Sequence, residues 1–103
     1  MIRIQVNRTT IRVTGHAGAG PPGQDIVCSA ISALLQTFVA SVEELNDDRI
    51  KSDISAGNAV IEYKDLSMEA ELLRRSFLIG CEGVAGAAPD CVQIVWPEGR
   101  TKP

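Results

Sequence analysis

The stretch that most restricts the fold is AGAGPPGQ, residues 17–24, which holds three Gly and two Pro. Pro lacks a backbone N–H and Gly leaves the backbone unusually free, so this composition disfavours a regular helix or a central strand. We therefore expect a loop here. It separates a segment with a strand-like pattern from one with a helix-like pattern.

Before the loop, apolar residues alternate with polar ones in two short runs, which is typical of half-buried strands. These residues are Ile2, Ile4 and Val6, then Ile11 and Val13. A polar turn separates the two runs, so the pattern predicts a hairpin. Its second strand ends close to His16, the only histidine of the chain.

After the loop, the spacing predicts a helix from Ile26 to about Leu45, with Asp25 as its N-cap. Its apolar residues recur at intervals of three and four: Ile31, Leu34, Leu35, Phe38, Val42 and Leu45. Residues 50–63 predict a second hairpin, with a turn at residues 55–58. The first half is therefore ββα, and the second half begins in the same way.

A second helix should begin at a Ser67 cap and run to about Val84, or break near Gly80. Its predicted apolar side comprises Met68, Leu72, Leu73, Phe77 and Leu78. Residues 91–96 predict a last strand. The order β-β-α-β-β-α-β implies a single α+β domain over residues 1–103, a two-layer sandwich with two helices on a mostly antiparallel sheet.

Composition narrows the classes of function. A net charge of −3 and 4% aromatic residues argue against a broad nucleic-acid surface or a base-stacking platform. We expect no apolar run near the ~20 residues of a membrane span and no signal peptide, and hence a cytoplasmic protein with no membrane partner. Three cysteines without a CxxC pair give no disulfide framework.

His16 and Cys28 flank the predicted loop, an arrangement that suits a thiol nucleophile and its base. With Asp25 as N-cap, Cys28 would be the third helical residue. There the helix dipole stabilises a thiolate, and unsatisfied N–H groups are available to a developing oxyanion. The plainer interpretation, that Cys28 is a small apolar filler and His16 is structural, is the more frequent one for such spacing alone.

Other interpretations of these residues are weaker. The Gly-rich loop lacks the Lys and Ser/Thr of a phosphate-binding loop. His16 and the three cysteines lack the pair spacings of a zinc site. Cys81 and Cys91 lie in apolar surroundings and are predicted core residues. Asp25 caps the helix or, alternatively, orients His16.

Three segments together resemble the ribosomal-processing cysteine protease family of bacteria. They are Gly15-His16-Ala17-Gly18, then Gly23-Gln24-Asp25-Ile26-Val27-Cys28, then Ala30-Ile31-Ser32. The family pattern is similar to G-H-A-G, a variable loop, then G-x-D-I-V-C-A-A-[VI]-S. The opening strand pair and the length also match, so the resemblance covers nearly the whole chain.

The resemblance implies a cysteine endopeptidase that removes an N-terminal extension from large-subunit ribosomal protein twenty-seven. It implies a catalytic dyad of His16 and Cys28, a homodimer, and no metal or organic cofactor. The loop is similar to the family's substrate-gating loop. The implied substrate-binding residues are Gly18, Gly20, Gly23, Asp25 and Ser32.

Two positions depart from the family pattern, and neither removes a catalytic group. Ser29 stands where Ala is usual, and Pro21-Pro22 should stiffen the loop. Two alternatives to the protease stay open at this point. One is a non-catalytic, ribosome-associated peptide-binding protein, and the other is a thiol redox sensor with Cys28 as the oxidised residue.

Overall fold

The computed structural model describes residues 1–15, 23–55 and 57–97, and for residues 23–25 it describes the backbone alone. Five strands and two helices follow the predicted order β-β-α-β-β-α-β. The strands form one sheet in the order β3-β4-β2-β1-β5, with both helices as the second layer. The predicted α+β sandwich is therefore confirmed.

The first hairpin consists of β1 (Ile2–Val6) and β2 (Thr10–Thr14), which pair antiparallel. The alternation seen in the sequence is the burial pattern of the strands, since Ile2, Ile4 and Val6 are buried and their neighbours are not. These side chains face the helices, as the period of two predicted.

The second hairpin consists of β3 (Lys51–Ser55) and β4 (Asn58–Glu62), and β4 joins the sheet by pairing antiparallel with β2. The last strand, β5 (Val92–Val95), pairs parallel with β1 at the opposite edge. The sheet is thus mostly antiparallel, with β3 and β5 at its two edges.

Helix α1 spans Gly23–Leu45, so it begins before the predicted start. Asp25 lies inside the first turn and is not the N-cap, and Cys28 is the sixth helical residue instead of the third. A glycine costs only about 1 kcal/mol in a helix, which the long amphipathic segment that follows offsets. The predicted loop therefore does not include Gly23 and Gln24.

The predicted apolar face of α1 is correct for its central turns. Ile31, Leu35, Phe38 and Val42 are buried against the sheet and α2, and Phe38 stacks on Phe77 of α2 with ring centroids 5.4 Å apart. Leu45 keeps the spacing but is 74% exposed, because it is the last residue of the helix.

Helix α2 spans Met68–Ala87 without a break at Gly80. The predicted cap is confirmed, because the Ser67 hydroxyl accepts from the Ala70 N–H at 3.1 Å. Two predicted core residues are wrong: Met68 is 88% and Leu72 66% exposed. The buried residues are Ala70, Phe77, Leu78 and Cys81, and at 100° per residue Leu72 lies on the far side of the helix from Ala70.

Within α1, the segment Ile26–Leu45 is long and apolar enough to cross a membrane by length and composition, with a mean hydropathy of 1.7. The expectation that no stretch approaches that length was therefore wrong. One such helix is weak evidence for a membrane, since core helices of soluble proteins pass the same test. Here Ile31, Leu35, Phe38 and Val42 all belong to the core.

Candidate functional site

Cys28 lines a cavity of about 270 Å³ that lies where one end of the sheet meets α1. The cysteine side chain is half-buried. Ile31, Ser32 and Leu35 line the same cavity, three, four and seven residues further on, so one face of α1 forms this wall. Ser32 therefore lies on the same face of α1 as Cys28, as predicted.

The sheet forms the opposite wall of the cavity. Val13 pairs with Ala59, and Ala59 pairs with Ile54, so these three residues form a row across β2, β4 and β3. All three line the cavity. Because the row lies on the helix-facing side of the sheet, Cys28 faces a largely apolar surface.

Two glycines close the end of the cavity where β2 stops. Gly15 has φ +90° and Gly57 has φ +75°, both in the region that favours glycine. The Gly15 N–H donates to the Gly57 carbonyl oxygen at 2.9 Å, which joins the end of β2 to the β3–β4 turn. A Cβ on Gly15 would clash with the Met1 carbonyl oxygen, so no larger residue fits.

The predicted site residues are only partly brought together. Cys28 and Ser32 share the cavity, and Gly15, which precedes His16 in the sequence, lines it as well. His16, Gly18 and Gly20 lie outside the described residues. Gly23 and Asp25 belong to the first turn of α1, so Gly23 is not a loop residue.

The helical position of Cys28 changes the expected chemistry. In a helix that begins at Gly23, the unsatisfied N–H groups belong to its first four residues, and the dipole effect fades within the first turn. Cys28, the sixth residue of the helix, lies beyond the four residues with unsatisfied N–H groups and beyond the first turn. The expectation that its first-turn position activates the thiol and supplies the oxyanion donors was therefore wrong.

The other two cysteines differ from Cys28 in their surroundings. Cys81 is fully buried in α2, and this burial, reinforced by the charge of Glu82, raises the pKa of its thiol to about 12. Cys91 precedes β5 and packs against the core, and none of the three cysteines forms a disulfide. The prediction of a core residue is confirmed for Cys81, whereas Cys91 is only half-buried and packs against the core from outside. Cys28 is the cysteine that lines the cavity.

Sequence reasoning missed the contribution of the β3–β4 hairpin. Ile54, Ser55 and Asn58 line the cavity, more than twenty residues from Cys28 in the chain. A turn signal at residues 55–58 was visible, but nothing local to it indicates that it meets α1.

A wider groove of about 600 Å³ lies between α1 and α2, and we do not assign the chemistry to it. Its lining is apolar or small, with Ile26 and Leu34 as the largest side chains and Thr37 as the most polar. Among the described residues, no cysteine and no titratable group lines this groove. Cys28, the candidate nucleophile, lines the smaller cavity instead.

Comparison with known proteins gives one family. Residues 1–93 match the family described as cysteine protease Prp. No protein with a curated description matches the sequence.

Solved structures give the same result. The essential ribosomal processing protease Prp from S. aureus, in complex with a covalently linked product peptide, superposes with a TM-score of 0.79 at 25% identity over 92% of this chain and 96% of that one. The same protease with a substrate peptide gives a TM-score of 0.81 at 24% identity, covering 92% and 96%. The protein SMU.848 from Streptococcus mutans gives 0.78 at 26% identity, covering 93% and 91%.

Proposed function

The chain belongs to the cysteine protease Prp family, and from that premise we propose that it removes the N-terminal extension of large-subunit ribosomal protein twenty-seven with a dyad of Cys28 and His16. The observation that carries the proposal is the position of Cys28 in the cavity between α1 and the β3–β4 hairpin. The solved relative from S. aureus, which is a ribosomal processing protease with a covalently linked product peptide, supports a peptide substrate.

The proposed reaction has two steps. His16 accepts the proton of the Cys28 thiol, Sγ attacks the scissile carbonyl carbon, and the C–N bond breaks as His16 returns the proton to the leaving amine. Water then hydrolyses the thioester, releasing the N-terminal extension and regenerating the thiol. The chemistry requires no metal or organic cofactor.

Two groups have proposed supporting roles. Ser32 lies one turn after Cys28 and lines the same cavity, where its hydroxyl can hydrogen-bond to the substrate backbone. Gly18 and Gly20 have a proposed role in substrate binding, since a glycine has no side chain that would keep a peptide backbone away. Gly23 and Asp25, which belong to the first turn of α1, keep a proposed role in substrate binding.

Cleavage of a defined peptide tests the proposed function. The substrate is a peptide that spans the junction between the extension and the mature start of the ribosomal protein, and the products are measured by mass spectrometry. We expect the wild type to cut once, at the junction. Cys28→Ala and His16→Ala should lower the rate by at least about 10³-fold while the unfolding temperature stays near that of the wild type.

Undiminished cleavage by Cys28→Ala would refute the dyad. Binding of the peptide by the wild type without cleavage would instead identify a non-catalytic peptide-binding protein. Formation of a sulfenate or a disulfide at Cys28 under mild oxidant, without cleavage, would identify a thiol redox sensor.

We also propose a homodimer in the cytoplasm. Apolar side chains on the outer face of the helices, including Ile26 at 72% and Ile79 at 65% exposure, support self-association. Light scattering after size exclusion should give twice the mass of the chain, and a monomer at micromolar concentration would contradict the dimer. Cell fractionation should place the protein in the cytosolic fraction.

A further inference from the structure

The outer edge of β3 provides a backbone surface beside the Cys28 cavity. β3 is the first strand in the sheet order, and β4 is its one hydrogen-bonded neighbour within the described residues. All five residues of Lys51–Ser55 are exposed. An edge of this kind presents N–H and C=O groups that another extended chain can pair with.

The hairpin register determines which residues of β3 present those groups. Ser55 pairs with Asn58 across a two-residue turn, and the closing pair of such a hairpin is hydrogen-bonded. Because hydrogen-bonded and non-hydrogen-bonded pairs alternate, Lys51, Asp53 and Ser55 bond to β4. Ser52 and Ile54 therefore direct their backbone N–H and C=O groups outward.

The same register determines the face on which the side chains lie. Ile54 pairs with Ala59 and Ser52 with Ile61, and both β4 partners are buried under the helices. Ile54 is 45% exposed, and it lines the cavity together with Cys28. It thus belongs both to the free edge, through its backbone, and to the cavity, through its side chain.

We propose that the peptide substrate binds by adding a strand to the outer edge of β3, hydrogen-bonded to Ser52 and Ile54. This inference rests on the proposed function, because it takes the occupant to be the peptide that Cys28 cleaves. Strand addition gives affinity through backbone hydrogen bonds that do not depend on sequence. Alternate side chains of the added strand point to the helix side, where those next to Ile54 enter the Cys28 cavity.

The edge is also protected against indiscriminate pairing. β3 has only five residues, and it carries the charged residues Lys51 and Asp53 on the face opposite to Ile54. Short edge strands with charged residues resist aggregation with other sheets. A peptide that binds in the cavity as well as along the edge gains affinity from the cavity contacts, which an unrelated strand would not make.

Amide hydrogen exchange tests the proposal directly. Cys28→Ala is mixed with the junction peptide, and exchange is followed residue by residue by NMR. We expect the Ser52 and Ile54 amides to become at least tenfold slower to exchange at saturating peptide. The Lys51 and Asp53 amides, already bonded to β4, should change little. Bound peptide without slowing at Ser52 and Ile54 would overturn strand addition and leave the proposed function intact.

A pair of variants at one position gives a second test. Ser52→Pro removes the outward N–H without removing a bond to β4, whereas Ser52→Ala keeps it. We expect Ser52→Pro to raise KM for the junction peptide by roughly three- to tenfold with kcat little changed, the effect of one lost hydrogen bond. Ser52→Ala should match the wild type. Equal KM values for a folded Ser52→Pro and the wild type would overturn the proposal, and if Ser52→Pro does not fold, the exchange result decides.

Two other outcomes are distinguishable. If the wild type neither binds nor cuts the junction peptide, the proposed function fails and strand addition fails with it. If the Ser52 and Ile54 amides slow with rising protein concentration in the absence of peptide, a second copy of the chain occupies the edge, which overturns the proposal.

Discussion

The backbone N–H of Gly15 donates to the carbonyl oxygen of Gly57 at 2.9 Å, and this bond joins the two hairpins at the Cys28 cavity. Both residues have positive φ angles. Gly15 also directly precedes His16. The bond therefore fixes the point from which the chain leaves β2 toward the proposed catalytic base.

Gly15→Ala should destabilise the protein and impair cleavage. A Cβ would clash with the Met1 carbonyl oxygen at a φ of +90°, so the backbone must shift. We expect a loss of about 1–3 kcal/mol in the free energy of unfolding, measured by urea denaturation.

Gly83→Ala is the matched control for this substitution. Gly83 lies inside α2, and a Cβ added there would have no neighbouring atom within 4 Å, so alanine should stabilise by about 0.5–1 kcal/mol. If Gly15→Ala and Gly83→Ala both have the stability of the wild type, the backbone at position 15 does not require a glycine, and the prediction fails.

The three cysteines should react at different rates with iodoacetamide at about pH 7.5. With the pKa of Cys81 raised to about 12 by burial, almost none of its thiol is ionised at that pH. Cys28 lines an open cavity and should be alkylated at least about 100-fold faster than Cys81. Peptide mapping by mass spectrometry gives the individual rates, and an equal rate at Cys28 and Cys81 would argue against an accessible, activated thiol.

Burial of Cys81 should also make stability depend on alkaline pH. The pKa of this thiol is higher in the folded state than its ordinary value of 9.0, so the folded state holds the proton more tightly. The resulting stabilisation is complete below about pH 9 and is lost as pH rises toward 12. Wild type should therefore lose more free energy of unfolding between about pH 8.5 and 10.5 than Cys81→Val, which has no thiol. Parallel curves for the two proteins would contradict this.

Strand β1 could be predicted from local sequence, because the period of two in its apolar residues is the period with which its side chains are buried. Ile2, Ile4 and Val6 show this directly. The start of α1 could not be predicted from local sequence, because Gly23 is compatible with both a loop and a first helical turn. The exposure of Leu72 could not either, since which side of α2 meets the sheet depends on tertiary packing around Ala70 and Phe77.

The site was predictable only where its residues are close in sequence. The motif around Cys28 placed Ser32 on the same helix face, and the cavity contains both. Ile54 comes from another hairpin, and its place in the cavity follows from the order of strands in the sheet. No local pattern determines that order.

The cap of α2 is a second local feature with a measurable effect. The Ser67 hydroxyl accepts from the Ala70 N–H and from Asn46 Nδ2 at 3.0 Å, and the Ser67 N–H donates to Asp48 Oδ2 at 2.6 Å. Ser67→Ala should cost about 1–2 kcal/mol in thermal or urea unfolding. Ser76→Ala, at an exposed position in the same helix, should cost nothing, and equal losses in both would contradict the capping role.

Ser32→Ala separates a substrate-binding hydroxyl from an ordinary helical one. If Ser32 hydrogen-bonds to the peptide, its loss should lower kcat/KM for the junction peptide by about three- to tenfold without lowering the unfolding temperature. Ser29→Ala is the control, since Ser29 is exposed on the same helix and does not line the cavity. Equal kcat/KM values for Ser32→Ala and Ser29→Ala would show that the Ser32 hydroxyl does not bind the substrate.

Trapping of the acyl-enzyme tests most directly whether Cys28 is the nucleophile. The wild type is mixed with the junction peptide, quenched in acid within milliseconds to seconds, digested and mapped by mass spectrometry. We predict a thioester adduct on the peptide that contains Cys28, with the added mass of the N-terminal extension less one water. Cleavage with an adduct at Cys81 or Cys91, or cleavage by Cys28→Ala at the wild-type rate, would contradict the account.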